Sequence, residues 1–304
     1  MLKQSPRKGN TNGMNYDQNF KKHSKTFSFA ASFFGTKMSS DTAKLYYFFR
    51  CVDDLVDENK DLDDEQKSEK IKEITHYKEI NELKKKYQIP EDVLEVFIEY
   101  AKKDITFQKI QNKEDLLKYC YGVASTVGIC MCHIFGVKSK DALYHAIDLG
   151  MAMQLTNICR DVYEDYQNDR LYLPELSVND FELEKCKEIE SIQIKYLKLA
   201  NQYYESGFQG LKYLPLRVSF VVFLAGKLYQ KIGEIIIQKK NYKIRAYVPT
   251  FKKLYLAFVY LFEFLIFTIR LYLKNNTIQR PYKKERGHNN NLHKEITNLP
   301  YVHQ

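Results

Sequence analysis

Between Met151 and Asp165 the chain reads MAMQLTNICRDVYED, and Gln154, Asn157, Asp161 and Asp165 recur at spacings of three, four and four. Residues three and four apart are neighbours on a helix surface, so these polar groups form one stripe. Met151, Ala152, Leu155, Ile158, Cys159 and Val162 cover much of the remaining circumference, which predicts a helix buried nearly all round. Carboxylates in such a place are costly unless paired or bound to a metal. A second stretch, DTAKLYYFFRCVDDLVDE from Asp41 to Glu58, repeats the pattern: Tyr46, Arg50, Asp53 and Asp57 stand four, three and four apart on an aromatic helix. Two such stripes make a site for hard divalent cations. Magnesium takes oxygen ligands, keeps several waters, and bridges a few carboxylates to substrate phosphate oxygens. The chemistry predicted is therefore metal-assisted work on a phosphate-bearing substrate.

The elements that must position these stripes follow from composition. In 304 residues there are only 12 Gly and 7 Pro, and apolar–polar alternation between turn residues is scarce. An all-α chain is predicted. Six cysteines (Cys51, Cys120, Cys130, Cys132, Cys159, Cys186) form no CxxC pair and mostly lie in apolar helical segments, where a free thiol acts as a small hydrophobe. That usage, and an N-terminus MLKQSPRKGNTNG without an apolar core, leads us to expect a cytoplasmic protein. The net charge is +9. Its Lys are scattered and much of the excess sits at the two ends, so an anionic substrate or anionic lipid surface accounts for it as well as nucleic acid would. No nucleic-acid partner and no obligate protein partner are inferred.

In chain order, residues 1–22 are polar, basic and expected to be flexible. HSKTFSFAASFF (His23 to Phe34) then offers Ser24 and Thr26 hydroxyls, read either as a helix cap or as donors to diphosphate oxygens. Lys60 to Lys86 is predicted as one charged helix with a thin seam of Ile71, Ile74, Tyr77 (or Lys78), Ile80 and Leu83. Asp61, Asp63 and Asp64 open it, complementing the helix dipole rather than joining the site. Pro90 breaks this helix and Glu91 to Asp104 forms another. Asp115 to Gly136 reads as an apolar helix with small residues (Gly122, Ala124, Ser125, Gly128), with Tyr119, Val123 and Val127 on one face and His133 in a core or boundary position. Glu188 to Tyr213 and Leu216 to Lys239 are two further helices, followed by the basic turn KIRAYVP (Lys243 to Pro249). Leu254 to Leu273 has the length of a membrane span, but Glu263 sits mid-segment, favouring a final bundle helix or an in-plane membrane contact. From Lys274 onward a disordered polar tail is expected.

Five segments, HSKTFSFA, YYFFRCVDDLVDE, YCYGVASTVG, AMQLTNICRDVYEDYQNDRLYLP and KIRAYV, together resemble the squalene and phytoene synthases, the head-to-head trans-prenyltransferases. The resemblance runs from about His23 to about Leu256, and its wording is nearest to the bacterial-type phytoene synthases. It implies a single all-α isoprenoid-synthase helical bundle with a central cavity, spanning residues 23–273, with 274–304 as tail. Asp53, Asp57, Asn157, Asp161 and Asp165 would hold two or three magnesium ions on the substrate diphosphates. Ser24, Thr26, Arg50, Arg160 and Arg245 match diphosphate-binding positions; Tyr46, Tyr119, Val123, Val127 and Gln154 match the cavity wall. Phe27 and Tyr247, in the first and last of these segments, join the substrate-binding set. Two departures stand out. Thr26 replaces a frequent Ser and keeps its hydroxyl, while Ser125 replaces a frequent Gly and is expected to add bulk beside the substrate channel.

The activity so implied is condensation of two geranylgeranyl diphosphates to phytoene through a cyclopropylcarbinyl diphosphate, without reductant. The alternative is a C30 enzyme that uses farnesyl diphosphate to make dehydrosqualene, or squalene if NADPH supplies hydride. A non-catalytic assembly factor is disfavoured by the intact acidic motifs.

Overall fold

The computed structural model describes residues 36–57, 62–276 and 288–302. Among them there is no strand: the chain is a bundle of α-helices joined by short turns, as its composition implies. The long helix α7 (Lys140–Gln167) is the axis of the bundle. Ser139 caps its start, its side chain accepting from the Ala142 amide. Around it pack α5 (Lys113–Cys120), α6 (Thr126–Ile134), α9 (Cys186–Gln209) and α10 (Leu216–Lys239). The short helix α8 (Val178–Glu182) leads into α9. Met151, Ala152, Leu155, Ile158, Cys159 and Val162 are all buried, while Gln154, Asn157, Asp161 and Asp165 of the polar stripe are partly open.

Helix α1 (Thr36–Asp57) turns Leu45, Phe48, Phe49, Val52, Leu55 and Val56 into the core. Its Phe48 and Phe49 meet Phe97 of α4 (Glu91–Lys103), the Phe49–Phe97 rings crossing edge-on at 4.7 Å. The charged stretch expected to be one helix is two, α2 (Asp64–Thr75) and α3 (Lys78–Tyr87). The chain leaves the helix at His76 and Tyr77 and restarts at Lys78, with Ile74 and Ile80 buried on either side of the break. Tyr77 leaves helical geometry at ψ 136° and is exposed, not part of the seam. Asp63 is the N-cap of α2 in a reciprocal box with Gln66, which gives it a structural role.

The segment expected as one apolar helix from Asp115 is interrupted by a π turn over Tyr121–Ser125. The turn lies close against α7: a Cβ on Gly150 would stand 2.6 Å from Ser125 Cα. His133 is buried, with Nδ1 3.4 Å from the Tyr87 carbonyl, in the core position expected.

Helix α11 (Thr250–Asn276) continues three residues beyond Leu273 and packs on α10. Glu263 pairs with Lys227 of α10 at 2.5 Å, while Phe251, Leu254, Tyr255, Phe258, Phe262, Leu265 and Ile269 stay exposed. Among the described residues no helix is long and apolar enough to cross a membrane. The tail beyond Lys274 includes an ordered part. Residues 288–302 lie against the bundle, with a 3-10 turn over Asn290–Ile296. Ile296 and Val302 are buried, Tyr203 Oη donates to the Leu292 carbonyl at 2.8 Å, and Tyr121 donates to the Pro300 carbonyl. His288 and His293 both reach the buried Asp148 of α7; burial opposes its ionisation, but these two partners outweigh it and hold the carboxyl below the usual range. Composition missed this docking because the apolar anchors are few and set among Asn and Lys.

Candidate active site

A cleft of about 940 Å³ opens where α1, α4, α5 and α7 meet. Its wall holds Arg50 and Asp53 from α1, Tyr119 and Val123 from the α5–π segment, and Gln154, Asn157, Arg160, Asp161 and Asp165 from α7. Arg245, on the turn after α10, closes the rim. Residues more than 100 positions apart, on α1 and α7, thus line one cleft, and the turn after α10 adds Arg245.

Asp161 is held by two arginines. Arg160 Nε and Nη2 donate to it at 2.8 and 2.5 Å, and Arg245 Nε stands 3.0 Å away while its Nη1 reaches Glu164 at 2.7 Å. Asp165, one turn further on, has a different environment. Burial pushes its carboxyl up to about 8, and the charge of Asp161 adds to the rise, against the lowering pull of Arg170. Asn157 donates from Nδ2 to Gln154 Oε1 at 3.3 Å, and its own Oδ1 is buried with no hydrogen-bond partner. On the facing helix Arg50 pairs with Asp54 and lies 4.0 Å from Asp53.

The inner wall is aromatic. Tyr119 Oη donates to Asp104 Oδ2 at 2.7 Å, and Tyr172 Oη donates to the other oxygen at 3.1 Å, with the two rings 4.9 Å apart. Burial pushes both phenols well above their ordinary range, so each stays a protonated donor. Next to the cleft along the same helices lies a separate apolar cavity of about 150 Å³, bordered by Val127, Met131, Phe135, Ala146, Leu149 and Met153.

Of the residues singled out from sequence, the structure gathers Arg50, Asp53, Tyr119, Val123, Gln154, Asn157, Arg160, Asp161, Asp165 and Arg245 into the cleft. Three are placed elsewhere. Val127 borders the apolar cavity, because the π turn between it and Tyr119 rotates the face they were expected to share. Tyr46 packs against the core, and Tyr247 is exposed beyond the rim. Ser24, Thr26, Phe27 and the side chain of Asp57 lie outside the described residues. Ser125 does not narrow the channel: it is fully buried and donates to the Ile147 carbonyl at 2.8 Å, pointing into the seam with α7. Asp104, Glu164, Arg170 and Tyr172 were missed, together with Lys67, whose Nζ caps the Val56 carbonyl at 3.1 Å beside the cleft. Glu164, Arg170 and Tyr172 stand within the specific segment AMQLTNICRDVYEDYQNDRLYLP, so their signal was present. Asp104 had none beyond being the last residue of a helix.

Residues 20–252 match the squalene/phytoene synthase family. The chain belongs to that family. It is 36% identical over 143 residues to a 15-cis-phytoene synthase of Enterobacter agglomerans, a match spanning 44% of this chain and 48% of that enzyme. To a 4,4'-diapophytoene synthase of Staphylococcus haemolyticus it is 30% identical over 260 residues, 78% of this chain and 91% of the relative. In three dimensions it superposes on a dehydrosqualene synthase with a TM-score of 0.69 at 23% identity, covering 86% of this chain and 95% of the other. A squalene synthase from Alicyclobacillus acidocaldarius gives 0.64 at 19% identity, covering 74% and 92%. These likenesses establish the all-α fold, and the family makes the chain a prenyltransferase of the phytoene/squalene synthase type. Residues 253–304, with most of α11 and the docked tail, lie outside the family match.

Proposed function

We propose that this protein condenses two geranylgeranyl diphosphates head to head into phytoene, with magnesium and without reductant. The observation that carries the reading is the single cleft in which the stripes from α1 and α7 meet, edged by Arg160 and Arg245 and adjoined by an apolar cavity. Asp53, Asn157, Asp161 and Asp165, with Asp57 from the first motif, would hold the metal. The donor set fits: Asn157 Oδ1 is a buried acceptor awaiting a partner, and the Asp165 carboxyl, unfavourable as a lone buried anion, is matched by a nearby cation. Magnesium supplies Lewis acidity for the departure of diphosphate from an allylic carbon.

The remaining roles belong to the chain's own residues. Arg160 and Arg245 present guanidinium donors at Asp161, positioned to transfer part of their hydrogen bonding to an arriving diphosphate. Arg50 does the same from the facing helix. Tyr119 and Tyr172, pinned by Asp104, place aromatic faces where an allylic cation forms, and the apolar wall of Val123 and the cavity next to it exclude water from that cation. The second prenyl diphosphate attacks the cation and a proton leaves, giving the cyclopropylcarbinyl diphosphate; this loses its diphosphate, rearranges to the joined cation, and loses a second proton to give phytoene. Ser24, Thr26 and Phe27 are proposed as additional substrate contacts.

A second reading, a C30 enzyme using farnesyl diphosphate, is favoured by the long match to the diapophytoene synthase. The test is product analysis with purified protein and magnesium, offering geranylgeranyl or farnesyl diphosphate, each with and without NADPH. Phytoene formed from the C20 substrate regardless of NADPH supports the first reading. A C30 hydrocarbon only from farnesyl diphosphate sinks it, and NADPH dependence then separates squalene from dehydrosqualene. Asp53→Ala and Asp161→Ala should each abolish product; full activity in both would remove the cleft from the chemistry.

The exposed aromatic and aliphatic face of α11, on a chain of net charge +9, further supports peripheral contact with an anionic lipid surface for a protein with a lipid-soluble product. Co-sedimentation with phosphatidylglycerol vesicles at low salt is expected. Complete recovery in the supernatant would argue against it.

A further inference from the structure

A second cluster of ligating side chains lies in the interior, apart from the cleft. His145 and Asp148 stand one turn apart on α7, and the docked tail brings His288 and His293 against them. His288 Nε2 is 2.5 Å from Asp148 Oδ2, and His293 Nε2 is 2.9 Å from Asp148 Oδ1. The side chains of Asp148, His288 and His293 have no solvent exposure, and His145 as a residue is only 7% exposed. One ligand atom each from His145, Asp148 and His288 fall within 4.8 Å of one another. The imidazoles of His288 and His293 are 4.3 Å apart, and His145 and His288 are 5.4 Å apart, edge to face.

We propose that Asp148, His288, His293 and His145 form a structural binding site for a zinc-class divalent cation, which fastens the C-terminal segment to the central helix.

Three features argue for it. The ligand set is three imidazoles and one carboxylate, which suits zinc and its neighbours rather than the magnesium expected in the oxygen-rich cleft. The spacings are those of a metal-binding pair of segments: His288 and His293 enclose four residues, and His145 and Asp148 share one helical face. The charge also fits. A fully buried carboxylate is an anion inside the protein, and a divalent cation compensates it more completely than hydrogen bonds do. The nitrogen–oxygen spacings are those of N–H donors to a carboxylate. Bonds of about 2.0–2.1 Å to a tetrahedral ion place ligand atoms roughly 3.3 Å apart. Opening the pairs by about 0.4–0.8 Å is a small adjustment for a tail segment that approaches from outside the helical bundle. Ser206 Oγ donates to Asp148 and lies 3.3 Å from His145 Nδ1, an outer partner that orients both ligands from α9.

Because two ligands come from the tail and two from α7, metal binding and tail docking are one equilibrium. The test uses the full-length protein with any polyhistidine tag removed. After chelator treatment and dialysis, zinc chloride is titrated calorimetrically in buffer holding millimolar magnesium, so that the oxygen ligands of the cleft are already occupied. We expect one zinc per chain, bound in the presence of magnesium. His288→Gln and His293→Gln, both outside the family match, should each weaken it by more than the ~10–100-fold that loss of an outer partner costs. Asp53→Asn, in the cleft, should leave it unchanged. Circular dichroism of each variant establishes that the bundle is intact. Absence of zinc binding to the wild-type protein overturns the proposal, leaving a hydrogen-bonded cluster. Binding that survives both histidine substitutions, or that is lost in Asp53→Asn alone, overturns it too and moves the zinc to the cleft.

Discussion

The raised carboxyl of Asp165 makes the metal-free protein sensitive to pH in a direction that can be worked out. Its folded value is about 8 against an ordinary value of 3.8, with burial the main cause and Asp161 the second. A carboxyl raised on folding holds a proton in the native state that the unfolded chain has already lost. Its contribution is therefore fully present below about pH 4 and lost progressively as pH rises towards 8. At 1.36 kcal/mol per unit, about four units would give roughly 5–6 kcal/mol. Asp165 is half-buried at the wall of an open cleft, and water there screens the penalty, leaving about 2–3 kcal/mol. For a chain of this size that is a fall in melting temperature of roughly 4–8 °C between pH 4 and 8.5 attributable to one group. The assay is thermal unfolding in chelator across that range, for the wild type and for Asp165→Asn, whose neutral amide cannot titrate. The wild type should lose the additional 4–8 °C relative to Asp165→Asn, and magnesium should restore most of it to the wild type only, with release of a proton on binding. Melting curves of the two proteins that run parallel across the whole range would show that the carboxyl is ionised throughout, and would refute the reasoning.

Two further predictions concern packing around the cleft. Gly150→Ala places a methyl 2.6 Å from Ser125 Cα and 2.8 Å from its amide nitrogen, so α7 and the π turn must separate at a cost of about 1–3 kcal/mol; a melting temperature equal to wild type would contradict the tight contact. Asp104→Asn keeps the shape of the inner wall but turns an amide N–H towards one of the two phenols, Tyr119 or Tyr172, that now donate to it. The loss should be about 1–3 kcal/mol in unfolding free energy, with a lower kcat for the condensation; a variant as stable and as active as the wild type would mean the two tyrosines hold their places without it.

Much of the site was legible in the linear chain because its main pattern is local. Gln154, Asn157, Asp161 and Asp165 share a stripe on any helix, whatever surrounds it, and the same holds for Arg50 and Asp53 on α1. The apolar residues between them dictated burial of the remaining faces, and the scarcity of Gly and Pro dictated helices throughout. Where helical periodicity broke, the linear pattern misled. The break at His76–Tyr77 was concealed by an apparently continuous seam, and the π turn at Tyr121–Ser125 sent Val127 to a different cavity from Tyr119.

From sequence alone, then, came the helical class, the two acidic stripes and the family to which their wording belongs, since these depend on spacing within single segments. Tertiary structure decided which groups meet across the chain. Arg245 reaches Asp161 over 84 positions, Tyr172 joins Asp104 over 68, and His288 reaches Asp148 over 140. It decided, too, that Ser125 faces α7 rather than the channel, and that a tail rich in Asn and Lys is docked by a few buried anchors. Helix stripes are set by bonds four residues long, whereas these contacts follow from how whole helices pack, and no local spacing encodes that.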